Sequence, residues 1–585
     1  MKLFALAIDY DGTIALNDAV DVSVREAIAQ LRTRGVTVVL ATGRILDDLR
    51  RVAGDLHFAD VVVAENGAIL HFPESGHTST LAPPVSPALI EELLRAGIAS
   101  HAGRSLIDAD AADAPRLLEA IRRLELPQVL IFNKSRVMVM PQGVSKGTGL
   151  HAALDTLRLS ARNTVAIGDA ENDHELLRLA EVGEAVPWAS PALRELADRV
   201  LPGEGIGAIV AELEALAATT TVPVTERPRR RLLLGHTEDG REFWLGARGR
   251  NVLIAGDTKS GKSWVAGLLG EQLILHGYSL CVIDPEGDYR ALEALPGVSV
   301  LGGDDPPPTP QQLMRALRYP DRSVVIDLSQ QPQDAKHAYI RATLPALNVI
   351  RQHTGLPHRI ILDEAHYFLH DGNAGRLLDL ERNGYTVVTF CASKLPRALL
   401  AATEVIVVTC ESNPVEIDAL RKLCDRCSSS TRVDWELLRH LRPGQAVALP
   451  MTEETGGRLL LLNVARRFTA HVRHRQKYVD VPGSEGQAFV FGSGPGAVPR
   501  IRTLRQFVQH IERSPRPVIY PFIERGDFSR WLRDVFGDHT LAADIRIIET
   551  LHRSTPSADT VDQIIDAVRS RYDLVDEPLV PVVQR

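Results

Sequence analysis

Short apolar runs alternate with amphipathic segments along two long stretches of this 585-residue chain. In residues 1–216 the apolar runs include LFALAIDY, VTVVLAT, VVVAENG and TVAIGDA, and periodic segments such as VREAIAQLRTRG lie between them. This alternation is typical of a parallel sheet with helices on both faces, because each parallel connection needs a crossover that a helix can provide. The pattern therefore predicts an α/β fold.

The same alternation indicates how the chain is divided. A second α/β stretch contains NVLIAG, SLCVID, SVVIDL, RIILDE, TVVTFCAS and VIVVTC, and the Thr- and Pro-rich segment 217–231 before it is typical of a linker. Because the chain is too long for one hydrophobic core, we expect separate units at 1–216 and 232–480. After a Gly-rich break, residues 486–585 predict a small mixed α/β unit with a structural or partner-binding role.

Composition and charge favour a cytoplasmic protein. No run of about 18 apolar residues predicts a membrane span, and the first apolar run meets Asp9 and Asp11 at once, as a buried strand does and a signal peptide does not. Five cysteines do not make a disulfide framework in so long a chain, which indicates a reducing compartment. The net charge of −8 argues against a basic coat for nucleic acid, although a local basic channel stays compatible with it.

Two aspartates at the end of the first apolar run suit phosphoryl transfer to a carboxylate. In AIDYDGT, Asp9 would attack phosphorus, and Asp11 would protonate the leaving alcohol and then deprotonate water. Open α/β sheets bind ligands at this edge. Acids beside a phosphate require Mg²⁺, and its candidate ligands are Asp9, Asp11, Asp169 and Asp173, the last two from VAIGDAENDHELL. The site would take a phosphorylated substrate.

Two segments between these acids supply contacts to the phosphate. The Thr42 hydroxyl and the amides that follow it in VVLATGR can bind phosphate oxygens, and Lys146 of VSKGTGL can neutralise charge in the transition state. The motifs DxDGT, TGR, SKG and GDxxND resemble the haloacid dehalogenase superfamily, and in detail its Cof-type branch, over residues 1–216. Since hydrolases of this family carry an acid at the position of Asp11, the resemblance favours a phosphatase.

The resemblance also implies a Rossmann-like domain with a small α/β cap. The cap would span residues from about 80 to 143 and would choose the substrate. Its candidate contacts are Asn133, Lys134 and Arg136, and the sequence Glu65, Asn66, Gly67 matches a segment near the cap hinge.

A second motif, of the kind that binds nucleotide phosphates, follows the apolar run NVLIAG. The candidate cofactor-binding residues are Gly256, Asp257, Thr258, Lys259, Ser260, Gly261, Lys262, Ser263 and Trp264. Their backbone amides would cradle the phosphates of ATP, Lys262 would reach the β- and γ-oxygens, and Ser263 would coordinate Mg²⁺. In RIILDEAHYF, Asp363 would hold the metal and Glu364 would polarise the attacking water. The pattern predicts an ATPase.

This second stretch resembles the HerA/FtsK/VirB4-like motor ATPases. The elements LLLGHTEDGREFWLGARGRNVLIAG, CVIDPEGDY and LERNGYTVVTFCASKLP carry the resemblance, which implies a RecA-like domain. It also implies that Asp284, Glu286 and Asp288 lie near the nucleotide. Arg382 stands where family members offer an arginine to the neighbouring subunit, so a homo-oligomer, with a hexameric ring as the family default, is expected. Ser393 and Lys394 replace the usual glutamine sensor.

Three functions are compatible with these motifs. The first is a motor that acts on DNA and carries a phosphatase, with the basic run 464–479 as a candidate nucleic-acid path. The second is a phosphatase for a small metabolite, such as a sugar phosphate or phosphoglycolate, with an ATP-dependent assembly or regulatory module. The third is a phosphatase–kinase that heals nucleic-acid ends, although Glu364 favours water activation, which a kinase must avoid.

Overall fold

The computed structural model describes residues 1–16, 18–220, 222, 230–248, 250–369, 374–380, 382–424, 434–449, 459–469, 488–492, 500–536 and 539–572. We refer to residues 1–220 as the first unit, 230–469 as the second and 488–572 as the third. The predicted α/β fold class is confirmed, since most described strands belong to two large, mainly parallel sheets that helices cover. The boundaries of the units as separate domains stay predictions.

The described part of the first unit contains fourteen strands, eight of which form one large sheet. Its strands are β1 (Ala5–Asp9), β2 (Ala15–Leu16), β3 (Ala19–Val20), β4 (Thr37–Ala41), β5 (Val61–Ala64), β6 (Ile69–His71), β7 (Thr78–Thr80), β8 (Ser100–Ala102), β9 (Ile107–Asp110), β10 (Gln128–Asn133), β11 (Arg136–Pro141), β12 (Thr164–Gly168), β13 (Val182–Ala185) and β14 (Arg199–Val200). Its helices are α1 (Val22–Thr33), α2 (Leu46–Ala53), α3 (Pro87–Arg95), α4 (Ala114–Arg123), α5 (Lys146–Leu157), α6 (His174–Leu179), α7 (Pro191–Leu196) and α8 (Gly205–Thr219). The large sheet has the order β14-β13-β12-β1-β4-β5-β6-β7, with β1 parallel to both β12 and β4.

A second, antiparallel sheet stands apart from the first. Its four strands have the order β10-β11-β9-β8, and α3 and α4 pack on them around a separate apolar core. We call this sheet and its two helices the cap. Glu65, a residue in the left-handed region at φ 50°, contacts the cap, and its carboxylate accepts hydrogen bonds from the amides of Arg104 (3.1 Å) and Ser105 (2.8 Å).

The second unit contains an eleven-stranded sheet. Its strands are β15 (Arg231–Thr237), β16 (Glu242–Gly246), β17 (Val252–Ala255), β18 (Leu280–Asp284), β19 (Val298–Gly302), β20 (Ser323–Asp327), β21 (Arg359–Leu362), β22 (Tyr385–Thr389), β23 (Val405–Val408), β24 (Gln445–Ala448) and β25 (Leu460–Val464). Its helices are α9 (Lys262–Leu275), α10 (Pro310–Ala316), α11 (Gln333–Thr354), α12 (Ala374–Leu377), α13 (Arg397–Ala401) and α14 (Pro414–Cys424). The order is β16-β15-β25-β24-β23-β17-β22-β21-β18-β20-β19, with parallel pairing from β23 to β19.

The third unit is mostly helical. A two-stranded sheet of β26 (Phe489–Val490) and β27 (Arg500–Ile501) packs with α15 (Leu504–Arg513), α16 (Arg516–Arg525), α17 (Asp527–Phe536), α18 (His539–Ser554) and α19 (Thr560–Tyr572). Phe489, Phe507, Phe528 and Trp531 form its aromatic core, in which ring centroids lie 4.9–6.2 Å apart. The expected mixed unit thus has little β-structure, because the apolar positions of this segment recur at helical rather than alternating spacing.

The first and second units meet around one buried carboxylate. Glu181 of the first unit lies 3.2 Å from Arg162 Nη1, 3.7 Å from Arg230 Nη1 and 3.0 Å from Arg248 Nε, and it accepts a hydrogen bond of 2.9 Å from the Tyr278 hydroxyl. Burial raises the pKa of Glu181, but the three guanidinium groups together lower it by more. The net shift of the pKa is therefore downward. We call this cluster the junction.

Helix α8 differs from the expected division of the chain. It runs to Thr219, so the first three residues of the segment expected to be a linker are helical. Ala217 remains on the buried face of the helix, and alanine favours helix strongly, which explains the extension. None of the helices in the described part of the chain combines the length and apolar character needed to cross a bilayer.

Candidate active sites

The first candidate site is centred on a buried ion triad. Lys146, the first residue of α5, places its Nζ 2.5 Å from Asp9 Oδ1 and 2.7 Å from Asp173 Oδ1, and all three side chains are at most 3% exposed. Burial lowers the pKa of Lys146, but Asp173 and Asp9 raise it more, so it stays charged. Burial raises the pKa of Asp9 well above its ordinary value, Asp173 adds to the rise, and Lys146 offsets only part of it.

Parallel strands bring these acids together. Asp9 ends β1, Asp169 directly follows the neighbouring strand β12, and Asp173 folds back so that its Oδ2 accepts hydrogen bonds from the amides of Asp169 (3.0 Å) and Ala170 (3.1 Å). One carboxylate oxygen from each of Asp9, Asp169 and Asp173 lies within 4.8 Å of the others. Burial also raises the pKa of Asp169.

The arrangement fits a magnesium ion. Within the described part of the chain, Asp9 Oδ2 and Asp169 Oδ1 are buried and have no hydrogen-bond partner. Buried carboxylate oxygens without partners are costly, and carboxylates are the ligands that Mg²⁺ prefers. Asp9, Asp169 and Asp173 could therefore hold the ion.

Asp11 lies outside this cluster, and its expected place among the metal-ligating carboxylates stays a prediction. Its carboxylate forms a two-pronged contact with Arg44, with Nε 2.9 Å from both oxygens and Nη2 2.6 Å from Oδ1. Arg44 also contacts Asp18. The chain leaves β1 after Asp9 and turns at Gly12, where φ is 79°, so Asp11 no longer follows the strand face that carries Asp9. The Asp11 side chain remains 35% exposed.

The remaining predicted residues lie at the same edge of the sheet. Thr42 directly follows β4, whose last residue Ala41 is in register with Asp9, and its Oγ1 accepts a hydrogen bond of 3.1 Å from the Arg44 amide. Lys134, from the turn between β10 and β11 of the cap, reaches Asp169 with its Nζ 2.7 Å from Oδ2. Arg136, in contrast, pairs with Asp108 within the cap.

The second candidate site is a phosphate-type loop between β17 and α9. Gly256, Lys259 and Gly261 have φ values of 146°, 62° and 104°, which turn the loop tightly around its own amides. Lys262, the first residue of α9, donates a hydrogen bond of 2.8 Å to the Asp257 carbonyl. The buried Thr258 hydroxyl has no partner among the described residues. The loop can therefore take an anion at the helix N-terminus, where amide dipoles favour negative charge.

Hydrogen bonds hold the loop of residues 256–263, which we call the P-loop, in place. The Ser260 hydroxyl contacts the Thr409 hydroxyl and the Asp257 carbonyl, and the Ser412 amide donates 3.1 Å to Asp257 Oδ2. The indole Nε1 of Trp264 donates a hydrogen bond of 3.4 Å to the Ala465 carbonyl. A contact of the Trp264 backbone amide with phosphate stays a prediction.

The acids after β18 have distinct roles. Asp284 accepts hydrogen bonds of 2.7–3.2 Å from the four amides of residues 286–289 and so fixes the loop. Glu286 lies 3.6 Å from Lys336 Nζ. Asp288 reaches the P-loop, where it accepts a hydrogen bond of 2.7 Å from the Ser263 hydroxyl. The expectation that Asp284, Glu286 and Asp288 all lie near the nucleotide stays a prediction.

Asp363 and Glu364 lie directly after β21, and both are almost fully buried. Glu364 adopts φ 47°, a strained value for a glutamate that turns its carboxylate towards His366, whose Nδ1 lies 3.7 Å from Oε2. Burial lowers the pKa of His366 to about 4, so its ring is neutral at pH 7. His366 also contacts the Thr389 hydroxyl at 3.0 Å, which places the end of β22 beside Glu364.

Arg382 lies at the opposite, amino edge of the parallel strands. Its Nε is 3.1 Å from Asp379 Oδ2, and its Nη1 donates 3.3 Å to the Arg351 carbonyl. Ser393, at the expected sensor position, donates from its amide and hydroxyl to Glu416. The contribution of Arg382 to a neighbouring subunit stays a prediction. The part of the basic run beyond residue 469 lies outside the described residues.

The sequence patterns did not identify Arg44 as a partner of Asp11, Lys134 as a contact of Asp169, or His366 as a neighbour of Glu364. Arg44 and His366 each stand two residues after a predicted site residue, within TGR and DEAH, which is the signal that could have found them. Lys134 offered only its place in a cap hairpin.

Known protein families match parts of the first and the second unit. The family model described as haloacid dehalogenase-like hydrolase matches residues 6–112 and 98–213, and that of the helicase HerA central domain matches residues 248–330. Phosphoglycolate phosphatase of Archaeoglobus fulgidus is 31% identical over 218 residues, which is 34% of this chain and 93% of the relative. Phosphoglycolate phosphatase of Halorubrum lacusprofundi is 31% identical over 227 residues, 36% of this chain and 96% of the relative. A crystal structure of a haloacid dehalogenase-like hydrolase from Bacteroides thetaiotaomicron, 18% identical, covers 37% of this chain and 100% of that chain with a TM-score of 0.33.

Proposed function

The chain belongs to the haloacid dehalogenase-like hydrolases and carries a HerA-like ATPase domain, and from this premise we propose a bifunctional enzyme with two independent sites. The first would be a Mg²⁺-dependent phosphatase with Asp9 as nucleophile, and the second would hydrolyse ATP at residues 256–263. The observation that carries the proposal is the Asp9–Lys146–Asp173 triad, because one buried oxygen of Asp9 has no hydrogen-bond partner among the described residues and lies next to a fixed ammonium group.

The phosphatase reaction follows from these positions. Asp9 Oδ2 would attack phosphorus while the ester P–O bond breaks, and Asp11 would give its proton to the departing alcohol. Asp11 would then accept a proton from water, which attacks the aspartyl phosphate and regenerates Asp9. Lys146 holds Asp9 in place and offsets the negative charge of the transition state. Mg²⁺ held by Asp9, Asp169 and Asp173 would neutralise part of the charge that a phosphate dianion brings to these carboxylates.

The proposed substrate is a small phosphate ester that carries a second negative group. Two relatives are named phosphoglycolate phosphatase, and the cap places the ammonium group of Lys134, whose side chain is 58% exposed, at the edge of the site. Lys134 would contact the second anionic group of such a substrate. The Lys134→Ala enzyme should then hydrolyse phosphoglycolate with a KM raised about tenfold or more, and an aryl phosphate whose leaving group is uncharged with a nearly unchanged KM. Equal effects on both esters would contradict this role.

The nucleophile itself provides the decisive test. With Mg²⁺, the protein should hydrolyse an aryl phosphate, and Asp9→Asn should abolish turnover because an amide is not a nucleophile. Asp108→Asn, which alters a cap carboxylate paired with Arg136, is a matched control and should retain turnover. Full activity of Asp9→Asn at saturating Mg²⁺ would refute the proposal.

For the second site, we propose that Lys262 binds the β- and γ-phosphates of ATP, that Ser263 and Asp363 hold Mg²⁺, and that Glu364 activates water. The contact of Ser263 with Asp288 supports a metal position at the start of α9. Glu364→Gln should bind ATP and fail to hydrolyse it, whereas Lys262→Ala should lose binding. A Glu364→Gln protein with normal ATP turnover would exclude this glutamate as the base.

Action on nucleic acid is a second candidate function, favoured by the match of residues 248–330 to the helicase HerA central domain. In that case the subunits would assemble into a ring, and Arg382 would serve the site of a neighbour. Light scattering with ATP and Mg²⁺ should then show a large oligomer, and duplex DNA should stimulate ATP hydrolysis. A monomer whose ATPase rate ignores DNA would favour the alternative, a metabolic phosphatase with an ATP-dependent regulatory module.

A further inference from the structure

A cavity of about 720 Å³ lies between the first and second units, beside the junction. Its walls include Lys2, which precedes β1, Arg359, which begins β21, and Arg382, which precedes β22. These are the amino ends of parallel strands, whereas both candidate active sites lie at the carboxyl ends. The cavity is therefore separate from both active sites.

The cavity is strongly cationic. Its described lining includes the cationic side chains of Lys2, Arg248, Arg351, Arg359 and Arg382 and contains no carboxylate. Two of these side chains form ion pairs with acids that do not line the cavity. Arg248 Nε lies 3.0 Å from Glu181 Oε1, and Arg382 Nε lies 3.1 Å from Asp379 Oδ2. Three positive charges then remain without an ion-pair partner among the described residues.

Two of the three are buried arginines with neutral partners only. Arg351, 6% exposed, donates 2.7 Å to the Asn383 carbonyl, and its Nη1 has no hydrogen-bond partner among the described residues. Arg359, 4% exposed, donates 3.1 Å to the Thr386 hydroxyl and 3.4 Å to the Ala247 carbonyl. Burial lowers the pKa of both, and that of Arg359 falls to about 10. A buried guanidinium group without an anion is costly. An anion bound at this wall would compensate that cost.

We propose that this cavity binds a small molecule that carries two or more phosphate charges. The planar guanidinium fork matches phosphate oxygens in pairs, and two such forks face one space whose volume is within the range of about 300–1,000 Å³ usual for small-ligand sites. Lys2, whose Nζ reaches 2.5 Å from the Gln352 carbonyl across the units, adds a charge at the rim. Both a free polyphosphate and the phosphates of a nucleotide share this chemistry.

Such a ligand would bind the two units to each other. Lys2 belongs to the first unit, and both buried arginines belong to the second. From the cavity, β1 runs to Asp9 and β21 runs to Asp363, so the ligand would contact the amino ends of strands whose other ends carry the catalytic acids. The cavity would bind such a ligand whether or not either proposed activity is present.

The test measures binding of pyrophosphate by calorimetry in EDTA, with the full chain carrying Lys262→Ala. This background removes the P-loop lysine, and EDTA removes the metal that a phosphatase site would need for an anion. We expect one saturable site. Arg351→Met should weaken binding about tenfold or more, because it removes a charge-assisted donor. Arg241→Met removes an arginine that is 77% exposed and outside the cavity, and it should leave affinity unchanged.

A thermal measurement separates binding from folding. Without ligand, Arg351→Met should melt no lower than its background, since the substitution removes an unpaired buried charge. Pyrophosphate should raise the melting temperature of the background and of Arg241→Met but not that of Arg351→Met. If Arg351→Met does not fold, Lys2→Ala at the rim takes its place and should weaken binding several-fold. Tighter binding of ADP than of pyrophosphate, lost in the same variants, would assign the site to nucleotides. Absence of a saturable site, or equal affinity in the variants and the control, would overturn the proposal.

Discussion

Lys146→Met tests whether the buried triad governs the stability of the first unit as well as its chemistry. Methionine keeps much of the side-chain volume but removes the ammonium group that lies 2.5 Å from Asp9 and 2.7 Å from Asp173. Asp173 retains two backbone amide donors through Oδ2, whereas Asp9 Oδ2 has no partner among the described residues. The substitution should therefore destabilise the charged carboxylate of Asp9 more than that of Asp173.

The expected magnitude follows from burial. Removing one member of a buried ion pair costs about 3–5 kcal/mol, because the remaining charge is left uncompensated. Opening of β1 should then become between about 100-fold and about 5,000-fold more frequent at neutral pH. Adding Asp9→Asn should restore much of the lost free energy, because the amide needs no cation.

The pH dependence has a definite sign. The pKa of Asp9 is already raised in the folded protein, and loss of Lys146 raises it further. A folded state that binds a proton more readily than the unfolded chain gains stability as the pH falls. The deficit of Lys146→Met should be complete above the raised folded pKa and should vanish towards the ordinary value of 3.8. Its slope should not exceed about 1.4 kcal/mol per pH unit for this one proton.

Hydrogen exchange read by mass spectrometry is the appropriate assay, since a multi-unit chain does not unfold in two states. Peptides that cover β1 report the opening, and peptides from α17 of the third unit serve as an internal control that should not change. Exchange in β1 that is equally fast in Lys146→Met and in the double variant with Asp9→Asn would refute the reasoning, as would a deficit that does not depend on pH.

Three other substitutions test neighbouring features. Gly12→Ala places a Cβ 2.3 Å from Asp169 Oδ2 at φ 79°, so the Mg²⁺ concentration for half-maximal aryl-phosphate hydrolysis should rise about tenfold or more; an unchanged titration would contradict the placement. Arg44→Gln frees Asp11 from its positioning residue and should lower kcat by about tenfold to a hundredfold with little change in KM; a pure KM effect would mean that Arg44 binds substrate. Lys262→Ala should lose ATP turnover and retain aryl-phosphate hydrolysis within a few-fold, and a silent phosphatase in the assembled protein would show that the sites are coupled.

The convergence of Asp9, Lys146, Asp169 and Asp173 could be anticipated because each lies at the end of a strand or the start of a helix. In a parallel sheet such positions meet at one edge, whatever the loops between them do. The same reasoning placed the P-loop directly before α9. Local patterns therefore located the elements that carry both sites.

Other contacts depend on long side chains and on distant packing. Lys134 reaches Asp169 from a hairpin 35 residues earlier, and no local pattern determines where the cap rests. Arg44 was part of a recognised motif, but its attachment to Asp11 depends on the turn at Gly12. The extension of α8 to Thr219 shows that alanine-rich helix ends resemble linkers when only composition is considered.

The junction also bears on how the chain is made. Ribosomes deliver the first unit before the second, and domains fold as they emerge. At that stage Glu181 already has Arg162 of its own unit as an ion-pair partner. Arg230, Arg248 and Tyr278 arrive later and find an acceptor in place. The first unit thus presents Glu181 as an acceptor for the second unit. We expect the first unit to fold before the second, and the two to join at the junction afterwards.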